Sequence, residues 1–227
     1  MAVPGSAGAS WQMTFDLAAT WRYLARIARL DETVFSDIAR DQVQTAAALA
    51  LPAVLLFGAT ISSWLWLVLA VDDGLDGGAV LVRQVIGGTI VGYACWAGWV
   101  LIVERLLAML WGQTVDRRAL LRVMGFASLP VVLTWVMWLP DNLQGDDAPL
   151  GTLALAIMVA AASAWLMLSH RALAAVSGAT ENQRGAANLV GYFAFLAVLG
   201  LVSRSGMAPG IPLFTRGFRH FIDLGGF

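Results

Sequence analysis

Few residues in this 227-residue chain could carry chemistry, and the most conspicuous are the neighbours Glu104 and Arg105. A carboxylate close to the end of a long apolar run is the kind of group that couples ion or proton movement in transporters. Long charged side chains at a helix end also extend toward water without any such role. Glu104 and Arg105 are therefore a candidate polar path, with an interfacial charged pair as the alternative.

Metal and cofactor chemistry finds little support in the sequence. His170 ends an apolar run and His220 lies in the C-terminal tail, so the two do not form a haem ligand pair within the membrane. Cys95 is the only cysteine, which excludes a paired-cysteine metal site. The chain has no lysine for a phosphate-binding loop and no Gly-x-Ser-x-Gly or His-Glu-x-x-His motif. We expect no catalytic residues, no metal, no cofactor and no enzyme activity.

The composition is typical of a membrane protein. Hydrophobic residues make up 59% of the chain and charged residues 13%, against about 45–50% and about 25% in soluble domains. The net charge of −1 provides no basic surface for nucleic acid. Charge-free windows of the length that crosses a bilayer as a helix span residues 42–71, 84–103, 123–140, 148–170 and 185–203. The sequence predicts an all-α integral membrane bundle of about five transmembrane helices.

Arginine counts predict the orientation of the chain. Residues 1–42, 104–122 and 171–184 hold four, four and two Arg, so ten of the fourteen fall on one side of a five-span arrangement. The side richer in Arg is usually cytoplasmic. We expect a membrane protein with a cytoplasmic N-terminus and an extracytoplasmic C-terminus. Three Arg in the tail fit this less well, and a hairpin or a misplaced span is the alternative.

The segment before the first span has helical periodicity. Its apolar residues recur at near-helical intervals beside a stripe of Arg22, Arg26 and Arg29, and they are Phe15, Leu17, Trp21, Leu24, Ile27 and Leu30. This pattern predicts short amphipathic helices at the membrane interface, with Asp31 as the cap of the second. The chain then divides into a cytoplasmic amphipathic segment (1–42), a transmembrane domain (43–203) and an extracytoplasmic tail (204–227).

Small residues indicate where helices could pack closely, because close approach of backbones is what holds helices together in lipid. The candidates are Gly88, Gly92 and Gly98 in the second span and Ala156, Ala160 and Ala164 in the fourth. They predict a tight pairing of these two spans, or, as the alternative, a homo-oligomer interface. Further interaction candidates combine aromatic and cationic character, and they are Trp21, Phe214, Arg216, Phe218 and Arg219.

Three stretches resemble the Yip domain proteins, a family named for interaction with Ypt and Rab GTPases. Residues 29–41 resemble the short element before the first span, residues 121–130 resemble a Gly-aromatic-x-x-x-Pro motif, and residues 171–187 resemble the connection before the last span. The resemblance covers roughly residues 29–203. It implies five helices, a cytoplasmic N-terminus and no catalytic residues. The short N-terminal region is similar to the bacterial branch, which implies the bacterial cytoplasmic (inner) membrane as the location. GTPase recruitment does not transfer to that branch.

These observations favour a noncatalytic membrane protein acting as a subunit, scaffold or assembly factor of a larger membrane complex. Its expected partners are other integral membrane proteins and lipid, with a homo-oligomer as a further option and no nucleic acid. The alternative is a small transporter, channel or lipid-moving protein in which Glu104 lines a path.

Overall fold

The computed structural model describes residues 16–70, 78, 81–136 and 149–204, with side chains described throughout except at 66–70, 149–155, 203 and 204. Regular structure in these ranges is entirely helical. Five helical segments are long and apolar enough to cross a membrane. This confirms the predicted all-α bundle with five membrane-spanning helices.

Helix α1 (Leu17–Ala28) is bounded at both ends by specific hydrogen bonds. The Asp16 side chain accepts a hydrogen bond from the Ala19 N–H at 2.9 Å. At the other end, the N–H groups of Leu30 and Asp31 bond back to the carbonyls of Ile27 and Arg26, while Leu30 adopts a left-handed φ of 58°. This is a Schellman ending, in which the left-handed residue is usually glycine. A leucine in that conformation costs about 1–2 kcal/mol.

Helix α2 (Val34–Arg40) buries Val34, Phe35 and Ile38 against the bundle. We predicted Asp31 as its cap, and this was wrong because Thr33 is the residue that immediately precedes the helix. Asp31 instead shapes the turn before it, accepting hydrogen bonds from both the N–H and the hydroxyl of Thr33 at 2.9 Å.

The longer helices are α3 (Thr45–Ala70), α4 (Gly88–Trp111), α5 (Arg117–Ala127), α6 (Pro149–Val176) and α7 (Glu181–Arg204). A π-helical turn, Leu81–Gly87, precedes α4, so the second span begins before the charge-free window. The same span continues past Val103 and ends where Gly112 takes a left-handed φ of 63°. Glu104 and Arg105 therefore belong to the last two turns of α4.

The third span changes helix type at Pro130. Proline has no N–H and its ring clashes with the carbonyl four residues earlier, so α5 ends at Ala127 and the chain continues as the 3-10 helix Leu129–Val136. The hydroxyls of Ser128 and Thr134 donate to the carbonyls of Gly125 and Val131 at 2.6 and 2.7 Å. Pro52, by contrast, lies inside α3 without ending it.

Helix α4 packs most extensively along α7, and α3 packs against α5 and the 3-10 helix that follows it. The predicted tight pairing of the second and fourth spans was therefore wrong. The reason is a glycine that the small-residue pattern did not single out. Gly191 in α7 lies against the Trp99 indole of α4, where a side chain would clash with the ring.

The Arg-rich segments converge at one end of the bundle, which we call the N-terminal end (residues 16–45, 104–122 and 168–184). Arg122 of α5 bonds to the Ile38 carbonyl of α2 at 3.3 Å, and α2 also packs on α6. Gly178, between α6 and α7, approaches the Gln113 side chain in the turn after α4. The three segments that the Arg count assigns to one side are thus neighbours in the fold.

Candidate functional site

Glu104 binds a partner other than its neighbour in the sequence. Both of its carboxylate oxygens accept hydrogen bonds from the Arg117 guanidinium, with Nε to Oε2 at 2.8 Å and Nη2 to Oε1 at 3.0 Å. Bidentate pairs of this kind are the stronger and more directional charged contacts. Arg105 is exposed on another side of the helix. Glu104 therefore forms an ion pair across the turn between α4 and α5. The structure does not bring Glu104 and Arg105 together.

Arg122 is the charged residue that sequence reasoning missed. Its side chain is 3% exposed, and its guanidinium donates to the carbonyls of Ile38 and Ala39 and to the Thr45 hydroxyl. These carbonyls lie where α2 ends, so they lack helical partners of their own. Arg122 thus ties the N-terminal segment to the third span. A signal was present, since Arg122 directly precedes the charge-free window at 123–140.

One face of α1 is fixed to the bundle by polar and aromatic contacts. The Thr20 hydroxyl donates to Gln44 at 2.8 Å, and the Tyr23 hydroxyl donates to Asp41 at 3.1 Å. The Tyr23 ring also meets Phe126 edge-on, with centroids 5.9 Å apart. Burial, followed by the hydrogen bond to Asp41, raises the pKa of Tyr23. The helix is therefore held in a defined orientation.

The opposite face of α1 is uncovered. Leu17 and Trp21 are 68% and 69% exposed, and Arg22 and Arg29 are exposed beside them. An ordered apolar face flanked by cations suits a membrane interface or a protein partner. Trp21 thus lies where an interaction residue would need to be. The other interaction candidates, Phe214, Arg216, Phe218 and Arg219, lie outside the described residues, as does His220.

The turn between α1 and α2 is organised by charge. Arg26 contacts Asp31 at 2.7 Å and Asp37 at 2.8 Å. The hydrogen bond from Arg26, followed by those from Thr33, lowers the pKa of Asp31 to about 2. The hydrogen bonds that Arg26 donates to the carboxylates of Asp31 and Asp37 raise the pKa of Arg26. The contacts with Arg26 keep Asp31 ionised. They also hold the turn in which Leu30 has its left-handed backbone conformation.

A cleft of about 260 Å³ opens beside this turn, between it and the end of α6. Its walls are mainly apolar, and its lining includes Leu30, Phe35 and Leu168. Glu32 and Arg171 lie at the same cleft, and both are exposed. Neither forms an ion pair or side-chain hydrogen bond within the described ranges. The cleft therefore offers one free carboxylate and one free guanidinium beside an apolar surface.

The predicted packing residues behave differently in the two spans. Gly88 and Gly92 are buried, and Gly92 faces Leu56 of α3. Gly98 is half-buried, with open space where a side chain would stand. In α6, Ala156 and Ala160 are exposed and Ala164 is half-buried. Packing within the chain therefore uses Gly88 and Gly92 but not Gly98, while Ala156 and Ala160 face outward.

Four aromatic side chains form a cluster where α4, α6 and α7 meet, namely Trp99, Trp165, Tyr192 and Phe195. Trp99 lies 5.3 Å from Trp165 and 5.2 Å from Tyr192 between ring centroids. Nearby, Asn188 donates to the Leu166 carbonyl at 3.0 Å. Its Oδ1, with Ser169 Oγ, is buried without a hydrogen-bond partner in the described part of the chain. Asn188 thus forms a hydrogen bond from α7 to α6.

No group of three or more His, Cys, Asp or Glu side chains that could hold a metal occurs within the described ranges. His170 and Cys95 are each half-buried.

Comparison of the chain with family models, with curated proteins and with solved structures finds no match in any of the three. The resemblance to Yip domain proteins stays a prediction.

Proposed function

We propose that this chain is a noncatalytic subunit, scaffold or assembly factor of a larger membrane protein complex. The main support for the proposal is that α1 has one face fixed to the bundle and another face exposed. Thr20 and Tyr23 fix one face of this helix to the bundle, while Leu17 and Trp21 on the other face stay more than two-thirds exposed. Large aromatic side chains held in a rigid frame are typical of the anchors in protein interfaces.

The charged residues of the bundle support the same role. Both carboxylate oxygens of Glu104 accept hydrogen bonds from Arg117. The guanidinium of Arg122 donates hydrogen bonds to carbonyls of α2. Both groups hold segments of this chain together. An ion-coupling carboxylate would instead need to be free to gain and lose its partner during transport.

The proposed location is the bacterial cytoplasmic membrane, with the N-terminus in the cytoplasm and the C-terminus outside. The excess of Arg in the segments that gather at the N-terminal end supports this orientation. The resemblance to the bacterial branch of Yip domain proteins is consistent with it and implies no enzyme activity. A second copy of the chain is a further proposed partner, because Ala156 and Ala160 are small and exposed.

A small transporter, channel or lipid-moving protein is the second candidate. It is favoured by the buried, unpartnered oxygens of Ser169 and Asn188 between α6 and α7 within the described residues. Such groups inside a bilayer are costly unless they contact water or a polar substrate.

Purification in mild detergent at native expression level, followed by mass spectrometry, tests the proposal. A different integral membrane protein recovered at a fixed ratio is the expected result. A chain that purifies alone and conducts a solute into liposomes, with the flux abolished by Glu104→Gln, would reject the scaffold in favour of the transporter.

A further inference from the structure

The cleft at the N-terminal end combines three features that together indicate the kind of ligand it would bind. Its walls are mainly apolar, it lies beside exposed groups of both charge signs, and it adjoins a helix that crosses the membrane. We propose that the cleft binds the headgroup of a zwitterionic, amine-bearing phospholipid, with Arg171 contacting the phosphate and Glu32 contacting the ammonium group. This inference is independent of the scaffold role, because it concerns the bilayer and not a protein partner.

The charges at the cleft are available for a ligand. Arg171 and Glu32 are exposed and do not pair with each other or with other side chains in the described part of the protein. Asp31, the remaining charged group at the cleft, is already bound by Arg26 and Thr33. A free cation and a free anion at one cleft complement a headgroup that carries both a phosphate and an ammonium. A purely anionic headgroup would meet Glu32 as a like charge.

The cleft is also continuous with the outer surface of α6. Met167, Arg171 and Ala174 are spaced at i, i+4 and i+7, which places them on one helix face. Met167 is 46% exposed, and Ala160 and Ser163, further along this side, are exposed as well. The exposed residues of this face give an acyl chain an uncovered helix surface to lie along. At about 260 Å³, the cleft is smaller than the roughly 300–1,000 Å³ typical of ligand pockets, so it suits a headgroup and not a whole lipid.

Leu30 strengthens the assignment. It occupies a left-handed position that glycine would take with less strain, and its side chain lines the cleft at 54% exposure. Leucine at this position adds apolar surface to the cleft. A role in holding the lipid accounts for a residue that the turn itself does not favour.

Native mass spectrometry of the full chain in detergent tests the proposal. The probes are phosphatidylethanolamine and phosphatidylglycerol with identical acyl chains, added at equal concentration. We expect a single-lipid adduct with phosphatidylethanolamine, in about two- to fivefold excess over phosphatidylglycerol, the size expected for one partly exposed ion pair. Equal adducts of the two lipids, or a preference for phosphatidylglycerol, would overturn the proposal.

Three variants identify the contacts. Arg171→Gln is expected to weaken both adducts, and Glu32→Gln to remove the preference for phosphatidylethanolamine. Leu30→Gly should weaken both adducts without lowering the melting temperature. Arg105→Gln, an exposed arginine outside the cleft, is the matched control and should leave both unchanged. Adducts that are the same in wild type, Arg171→Gln and Glu32→Gln would contradict the site, and the wild-type comparison stands even if a variant fails to fold.

Discussion

The carboxylate of Glu104 and the guanidinium of Arg117 form a bidentate ion pair, with Nε to Oε2 at 2.8 Å. The two residues are thirteen positions apart and meet because Gly112 reverses the chain between α4 and α5. The pair gives Glu104 a structural purpose. A transporter in which Glu104 lines the path would need this ion pair to open during transport.

A double-mutant cycle with Glu104→Gln and Arg117→Gln is expected to show a small favourable coupling free energy, because an ion pair with an exposed partner is screened by water. Unfolding of the chain in mixed micelles measures it. The control cycle pairs Glu104→Gln with Arg105→Gln, for which we expect no coupling because the two side chains do not meet. Coupling to Arg105 and none to Arg117 would contradict the described geometry.

Gly125→Ala is expected to destabilise the bundle by about 1–3 kcal/mol, as overpacking does in a close contact. Gly125 lies against the backbone of Ala48, where an added Cβ would stand 2.7 Å from the carbonyl carbon. Pro52 cannot donate to that Ala48 carbonyl, so α3 is open to close approach there.

Gly98→Ala is the matched control for this test. It is also a helix glycine, but nothing stands within 4 Å of the added carbon. We expect it to be neutral or stabilising by up to about 1 kcal/mol. A Gly125→Ala protein that melts at the same temperature as Gly98→Ala would disprove the close contact between α3 and α5.

Leu30→Gly is expected to stabilise the protein by about 1 kcal/mol, because glycine adopts the left-handed conformation without a steric penalty. Ala28→Gly, two residues earlier at the right-handed end of α1, should instead destabilise it by up to about 1 kcal/mol. Thermal unfolding of both variants and the wild type measures the two changes in stability. Loss of stability in Leu30→Gly would mean that the leucine packs more tightly than its exposure indicates.

The turn between α1 and α2 should loosen in acid. The pKa of Asp31 in the folded protein is about 2, below its ordinary value of 3.8. The ionised carboxylate therefore stabilises the turn above about pH 4, and this contribution is lost as the pH falls toward 2.

Hydrogen exchange across residues 26–37, followed between pH 5 and 2, measures this loss. Asp31→Asn should remove the pH dependence by loosening the turn at every pH. Glu32→Gln, which removes a carboxylate that Arg26 does not contact, is the control and should keep the wild-type profile. An Asp31→Asn protein with the wild-type profile would show that another group controls the turn.

Much of the fold could be predicted from the sequence, because charged residues are excluded from helix centres in lipid. Five charge-free windows therefore predicted five helices, and near-helical spacing of Leu17, Trp21 and Leu24 predicted α1. The ends of the spans were harder to place. Gln84 was counted within the second window, yet it lies in a π-helical turn, and Pro130 converts the third span to a 3-10 helix.

The contacts of the candidate site could not be predicted, since they depend on how each helix is rotated. Arg117 reaches Glu104 through a turn whose direction is set by Gly112. Arg122 binds backbone carbonyls, which carry no residue-specific signal. Gly191 is one of many glycines, and only its position against Trp99 distinguishes it.

The most direct test of the scaffold role places a photoreactive crosslinking residue at Trp21 in the full chain at native expression level. Mild-detergent purification and mass spectrometry then identify what is attached. The proposal predicts an integral membrane protein crosslinked at position 21 and copurified at a fixed ratio, with no crosslink from the buried position Ile27, which is 2% exposed. A chain that purifies alone, crosslinked at position 21 only to lipid, would contradict it.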